Sequence, residues 1–328
     1  MSTNPDSRPR STRREFVGLI ATATAAVPLA GLAPAATAAP APAQGGPGVM
    51  HVFSKPLQWL DYAGAAALIA EAGYGGIDYT VRPGGHVLPE KVQDDLPRAV
   101  EAARKAGLKV EMITTAVTTA KDKFTEPLLR TAAKLGVKYY RLGNFQYNLK
   151  VGIWESLQNL KPQLRELAAL NQSLGLHGCI QNHAGPRVGG PVWDLYELVR
   201  DLDPRWFGVQ YDIRHAVVEG AQSWPLALRL LAPWIRCTDL KDFKWEQAAG
   251  KATLDNVPIG QGVVGYDAYF KLVAELGLHG PRSVHFEYPP FERATTPLPE
   301  AEKRSVLLKL MKQDLAALRG YMAKYRIG

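Results

Sequence analysis

Cysteine is scarce: two thiols in 328 residues cannot build a small disulfide-stapled fold. Long apolar runs are missing too. After residue 50 none approaches the roughly 18 to 20 residues that a membrane-spanning helix needs. No block of like charge stands out, and no Gly-x-Gly-x-x-Gly turn follows the first strand-like segment, which argues against a dinucleotide-binding sheet. With 46% hydrophobic and 21% charged residues, the composition also excludes a disordered or collagen-like polymer. What is there is a globular chain with a large core, long enough for one large domain or two ordinary ones.

The N-terminus differs from the rest. Ser11-Thr12-Arg13-Arg14-Glu15-Phe16-Val17 leads into an apolar stretch over residues 17–32, and Ala36-Thr37-Ala38 has the small-x-small form of a signal-peptidase site. The segment resembles a twin-arginine export signal ending at residue 38. It implies a periplasmic or secreted protein that meets the twin-arginine export machinery and keeps no stable membrane anchor after cleavage. Because that route carries folded proteins, a metal or other ligand would be loaded before export. Removing residues 1–38 takes away four arginines (Arg8, Arg10, Arg13, Arg14) and two acids (Asp6, Glu15), so 35 positive and 29 negative residues remain, net +6. Modest basicity without a basic block gives only weak support for a nucleic-acid partner, and none is expected. Residues 39–47, rich in Ala, Pro and Gly, read as a flexible linker, and residues 48–328 as one domain.

Through that domain one pattern recurs: a helix-like stretch, a closing glycine, a short apolar strand, then polar residues. Gly73, Gly107, Gly136, Gly175 and Gly277 each stand at such a helix-to-strand junction, where glycine supplies the left-handed residue that ends a helix. The strands that follow are GGIDY, LKVEMI, VKYYRLG, LHGCIQNH and SVHFEY. Two more, WFGVQYD and WIRCTDL, follow Asp203-Pro204 and Ala232-Pro233, and VMHVF at 49–53 makes eight. Helical spacing falls over 56–72, 90–106, 152–174 and 264–276. In the second, Val92, Leu96, Val100 and Ala103 share a face, with Pro97 a candidate for a kink or a late start. Eight strands alternating with helices predict a closed (β/α)8 TIM barrel; an open doubly wound sheet is the alternative. Cys179 and Cys237 lie two residues before polar strand-end residues, so alternation points them inward as reduced core thiols.

In such barrels the active site forms at the C-terminal strand ends. Collected there are Asp78, Arg82 and His86 after strand two, and Arg141 and Asn144 after strand four. Strand five ends in Gln181, Asn182 and His183, and strand six in Asp212 and His215. Asp239, Lys241 and Asp242 end strand seven and Glu287 strand eight. Carboxylates facing inward at strand ends must be paired or bound to metal.

Four segments carry a family likeness: Gln181-Asn182-His183, Tyr211-Asp212-Ile213-Arg214-His215, Asp239-Leu240-Lys241-Asp242 and Pro258-Ile259-Gly260-Gln261-Gly262-Val263-Val264. In order and spacing the chain resembles the sugar phosphate isomerase/epimerase superfamily, the xylose isomerase-like barrels, over most of residues 49–320. The resemblance implies a divalent metal held from strands five to eight, here by Gln181, Asp212, Asp239 and Glu287. Two of these depart from the family's Glu-Asp-His-Glu: Gln181 replaces a carboxylate and Asp239 a histidine. The resulting all-oxygen set suits Mn²⁺ or Mg²⁺. The opposite possibility is that the metal has been lost and Lys241 supplies the positive charge.

The chemistry so implied is proton transfer next to a sugar carbonyl, with an isomerase, epimerase or keto-sugar lyase as outcome. An amide cannot serve as base, so Glu287 is the candidate base, with His183 and His215 as proton carriers and Lys241 as a further catalytic group. Asp78, Arg82, His86, Arg141, Asn144, Asn182 and Trp245 are the candidate carbohydrate-binding residues, and Trp193 is another ring that could stack on a sugar. Core packing is as open a role for the tryptophans, and a structural one for the histidines. Two functional readings stand side by side: an exported sugar isomerase or epimerase, and a non-catalytic carbohydrate-binding barrel. An abasic-site endonuclease on the same fold fails because His177 and His279 precede their strands and cannot join a histidine-rich metal cluster, and because export removes the chain from DNA.

Overall fold

The structure is a computed structural model that describes residues 49–248, 250–288 and 298–327. The expected export signal over 1–38 and linker over 39–47 lie outside these residues. Among the described residues ten strands are formed: β1 Met50–Phe53, β2 Gly76–Val81, β3 Met112–Thr115, β4 Tyr139–Arg141, β5 His177–Gln181, β6 Phe207–Asp212, β7 Ile235–Leu240, β8 Asp242–Ala248, β9 Lys251–Val257 and β10 Arg282–Val284. Eight of them close into a parallel barrel in the order β1-β10-β7-β6-β5-β4-β3-β2, while β8 and β9 form a separate antiparallel hairpin. The helices are α1 Tyr62–Ala72, α2 Val92–Lys105, α3 Thr125–Lys134, α4 Ile153–Leu174, α5 Trp193–Val199, α6 Ile213–Gly220, α7 Trp224–Leu231, α8 Tyr266–Glu275 and α9 Glu300–Lys324. This is the closed (β/α)8 barrel that the alternation predicts.

The helix-ending glycines take the role the sequence assigns them: Gly73, Gly107, Gly136, Gly175 and Gly277 have φ of 90°, 78°, 84°, 68° and 63°. Pro97 lies inside α2, which has already begun at Val92, so it does not delay the start. Residues 56–72, expected as one helix, divide into a 3-10 turn over Lys55–Leu57 and α1, whose N-terminus is capped by Asp61 accepting from Gly64 N at 2.7 Å. Ile77, Tyr79 and Val81 of β2 and Leu96, Ala99, Val100 and Ala103 of α2 are all buried, and the Tyr79 hydroxyl donates to Ala99 O at 3.0 Å. That contact fixes Tyr79 on the helix side of the sheet, so its neighbours Asp78 and Thr80 point inside the barrel.

The barrel interior is unusually polar below its mouth. Thr114 and Ser283 donate to Asp78 at 3.0 and 2.7 Å, linking β3, β2 and β10 across the inside. Cys179 and Cys237 are free and buried beside Met112, and His177, the first residue of β5, sets Nδ1 3.1 Å from the Cys179 sulfur. His177 therefore belongs to its strand rather than preceding it.

Candidate active site

Strand register gathers the charged groups. Gln181 pairs with Gln210 between β5 and β6, and Asp212 with Asp239 between β6 and β7, so residues in register share a face. A register shift between Val209 and Gln210 brings the two polar ends level. Alternation then puts Lys241, two residues beyond Asp239, on the inner face. On β10 the same alternation links Ser283, His285 and Glu287.

Lys241 stands at the centre. Its buried Nζ lies 3.1 Å from Asp212 Oδ2, 3.1 Å from Glu287 Oε2 and 3.0 Å from His215 Nε2. Burial alone would lower the proton affinity of this ammonium, but Asp212, Glu287 and Asp239 outweigh it and raise its pKa. Asp212 accepts from His215 N at 3.0 Å through its other oxygen, capping α6 and tying the carboxylate to the helix that follows it. Gln181 donates its amide to Asp212 at 3.1 Å and to Asp239 at 2.6 Å. The remaining Asp239 oxygen accepts from Gln210 at 2.7 Å and faces His285 Nε2 at 3.3 Å.

Glu287 is held between cations: Lys55 donates to Oε1 at 3.1 Å, Lys241 lies at Oε2, and His285 Nδ1 is 3.8 Å from Oε2. Burial raises its pKa, yet Lys241, His285 and Lys55 together hold it well below the usual carboxylate range. The His285 ring stacks on Phe53 at 4.3 Å, and the guanidinium groups of Arg82 and Arg141 lie over the same phenylalanine at 5.7 and 5.3 Å. The two histidines named from the sequence stack on each other, His183 on His215, at 3.9 Å. His215 has Arg214 Nη1 3.1 Å from its Nδ1 and Lys241 at its Nε2; burial and these charges keep it neutral, with a pKa well below the ordinary value. Burial also lowers His183, to about 4, and its Nδ1 lies 2.9 Å from Ala184 O, which fixes the tautomer and leaves Nε2 with a lone pair.

Of the candidates, Gln181, Asp212, His215, Asp239, Lys241 and Glu287 form one connected cluster, with His183 stacked on it and Arg82 and Arg141 at its edge. Others go elsewhere. Asp78 sits in the middle of β2 rather than after it, and its carboxylate is taken up by Thr114 and Ser283. His86 packs edge-on against Tyr79, on the helix side, and its Nε2 meets Leu60 O at 3.2 Å. Asn182 spends its amide on the backbone of Asp212, donating at 2.8 Å and accepting at 2.7 Å, so it positions that carboxylate. Asn144 is exposed beyond β4. Trp245 is exposed on the β8–β9 hairpin rather than in a loop, and Trp193 is exposed at the start of α5.

Asp242 is structural: its carboxylate accepts from the backbone N of Phe243, Gly260, Gly262 and Val264 at 2.8 to 3.1 Å, holding the Pro258–Val264 loop. The sequence reading missed His285, Gln210, Lys55 and Phe53. Alternation counted back from Glu287 and Asp212 would have marked the first two, and the end of β1 the others.

The donor set does not fit a divalent ion. Gln181 presents N–H groups, not a lone pair, to two carboxylates, since its oxygen there would face oxygen. Lys241 lies between the carboxylates of Asp212 and Glu287. Among the described residues no three His, Cys, Asp or Glu side chains are arranged to hold a metal. The four expected ligand positions converge, but the three carboxylates are acceptors already matched by N–H donors, and Gln181 is one of those donors. The arrangement thus departs from the Mn²⁺ or Mg²⁺ ligand set expected of Gln181, Asp212, Asp239 and Glu287.

Comparisons with known proteins agree with the geometry of the barrel. No curated protein sequence matches the chain significantly. Among solved structures it is similar to D-psicose 3-epimerase from Clostridium cellulolyticum H10 with D-tagatose, at 13% identity and a TM-score of 0.63 over 84% of this chain and 98% of that one. It is similar to 3-keto-D-glucoside 4-epimerase YcjR from E. coli, at 14% identity and 0.58 over 80% and 98%. The IolI protein, solved with a zinc atom, gives 19% and 0.63 over 84% and 99%. At such identities these likenesses establish the fold. A family profile described as a xylose isomerase-like TIM barrel matches residues 66–311, three quarters of the chain, and the chain therefore belongs to that family.

Proposed function

We propose that the protein is an exported carbohydrate isomerase, epimerase or keto-sugar lyase that works by proton transfer next to a carbonyl. The observation that carries the reading is the Lys241 ammonium at the strand ends, between Glu287 and Asp212, with Arg82 and Arg141 over Phe53, the ring on which His285 stacks. A preorganised cation in a water-poor site stabilises the oxyanion that develops when a carbon acid is deprotonated. A substrate carbonyl oxygen that takes the Lys241 N–H now given to Glu287 removes a contact that weakens this carboxylate as a base. Glu287 then accepts the carbon-bound proton while Lys241 meets the enediolate oxygen. His183, neutral with its Nε2 lone pair, is the second proton carrier, and the two arginines orient hydroxyl or anionic groups at the mouth.

The sugar chemistry of the two epimerases of similar fold supports this reading, and the Arg13-Arg14 segment supports export to the periplasm or medium. The test is a panel of keto-sugars incubated with the protein in deuterated water, read by NMR for exchange, isomerisation or elimination. Saturable sugar binding without any of the three would replace the enzyme with a carbohydrate-binding barrel.

A further inference from the structure

Three carboxylates meet at the ends of β6, β7 and β10, and the atoms around them are N–H donors. Lys241 has three N–H groups and one acceptor for each: Asp212 Oδ2, Glu287 Oε2 and His215 Nε2, at 3.0 to 3.1 Å. Gln181 adds two amide hydrogens, to Asp212 and to Asp239. Gln210 and the backbone N of His215 satisfy the oxygens that remain on Asp239 and Asp212. We propose that the Lys241 ammonium is the resident cation of this site, and that Gln181 and Asp239 are the substitutions that match it to an ammonium instead of a divalent ion.

The charge argument runs through position 181. A glutamate there would put a fourth carboxylate against a single central positive charge and would lose both amide donors. Neutral Gln181 instead cross-links Asp212 to Asp239 and leaves the ammonium to offset fewer charges. Asp239 in turn gives Gln181 and Gln210 a two-oxygen acceptor, which a histidine could not. The inference shares its site with the proposed function but uses no sugar in its test, so loss of the one is distinguishable from loss of the other.

The full-length protein, purified without chelator, is assayed for bound metals by elemental analysis and by thermal melts with EDTA or with about 1 mM Mn²⁺. The wild type is expected to carry no stoichiometric divalent ion and to melt at the same temperature in all three conditions. Lys241→Met uncovers the carboxylates and is expected to gain a Mn²⁺-dependent rise of about 3 °C or more, lost again when Asp212→Asn is added. About one metal ion per wild-type chain, released by Asp212→Asn, would overturn the proposal, and this measurement decides even where Lys241→Met fails to fold. A Lys241→Met protein as stable as wild type and indifferent to Mn²⁺ would overturn it too, because the carboxylates would then need no cation.

Discussion

Lys241 donates to Glu287 across 3.1 Å, joining the end of the seventh barrel strand to that of the eighth through an ion pair between a buried ammonium and a half-buried carboxylate. Neither partner works alone. The ammonium needs carboxylates to stay charged where water is excluded, and the carboxylate needs its contact with the ammonium relaxed before it can take a proton from carbon. The proposed chemistry therefore depends on substrate entering this pair rather than binding beside it.

Glu287→Gln keeps the size of the side chain and an oxygen for Lys241 while removing the base. Exchange of the substrate's α-proton with solvent deuterium should fall on the order of 10² to 10⁴. Sugar affinity, measured calorimetrically, should change far less. A variant that exchanges at the wild-type rate would transfer the role of base to His183, the neighbouring ring with a lone pair.

Gly262→Ala tests the loop that Asp242 holds. A Cβ at Gly262 would lie 2.1 Å from Asp242 Oδ1 and 2.4 Å from Phe243 O, so the carboxylate that holds four backbone N–H groups would have to move. A loss of about 1 to 3 kcal/mol in urea unfolding is expected. The same change at Gly320, which has nothing within 4 Å of its added Cβ, should be neutral or slightly stabilising by helix propensity.

Asp314 predicts how stability varies with pH. It is buried in α9, accepts from Tyr288 Oη and from Ile259 N at 3.0 Å, and burial pushes its pKa up to about 7. The folded state thus holds a proton that the unfolded chain, with an aspartate near 3.9, gives up. Its contribution is fully present below the unfolded pKa and is lost as pH rises toward 7, so stability should decline over that window. Asp314→Asn mimics the protonated group and should remove the decline, gaining at most about 4 kcal/mol over wild type at pH 8 and little at pH 4. Parallel stability–pH curves for the two proteins would refute the assignment.

Much of this was legible in the sequence, for physical reasons that differ from element to element. Gly73 or Gly175 could be read because a left-handed residue at a helix end excludes most side chains. Asp212, Asp239 and Glu287 could be read because acids at strand ends in a barrel have one face to occupy. His285 and Gln210 were not read, although each lies two residues before an inward acid, Glu287 and Asp212, and alternation gives them the same face. The β8–β9 hairpin was missed although Phe243 and Trp245 alternate with Asp242, Lys244 and Glu246, because it follows β7 after a single residue and stands outside the strand–helix alternation of the barrel. Asn182 was assigned to substrate because sequence shows that an amide is present but not which partner it takes; here the partner is the backbone of the next strand.

Export is tested independently of the barrel. Replacing Arg13 and Arg14 by lysine should strand precursor in the cytoplasm, and the mature protein should begin at Ala39 when its N-terminus is sequenced. Unimpaired export of the lysine pair would exclude the twin-arginine route.

Gln181→Glu sets the whole electrostatic account against a single substitution. The change deletes two buried hydrogen bonds, at 3.1 and 2.6 Å, and places a fourth carboxylate among Asp212, Asp239 and Glu287. At neutral pH the variant should lose about 2 to 4 kcal/mol, because breaking a buried network leaves charge without a partner. The loss should shrink as pH is lowered and the new carboxyl is protonated, since a proton restores one donor and removes the charge. It should also shrink with added Mn²⁺, which supplies positive charge that Lys241 alone cannot. The wild type should not respond to Mn²⁺ at this site. Should Gln181→Glu be as stable as wild type at pH 7 without metal, the carboxylates do not compete for Lys241, and the match between the amide and the ammonium has no energetic basis.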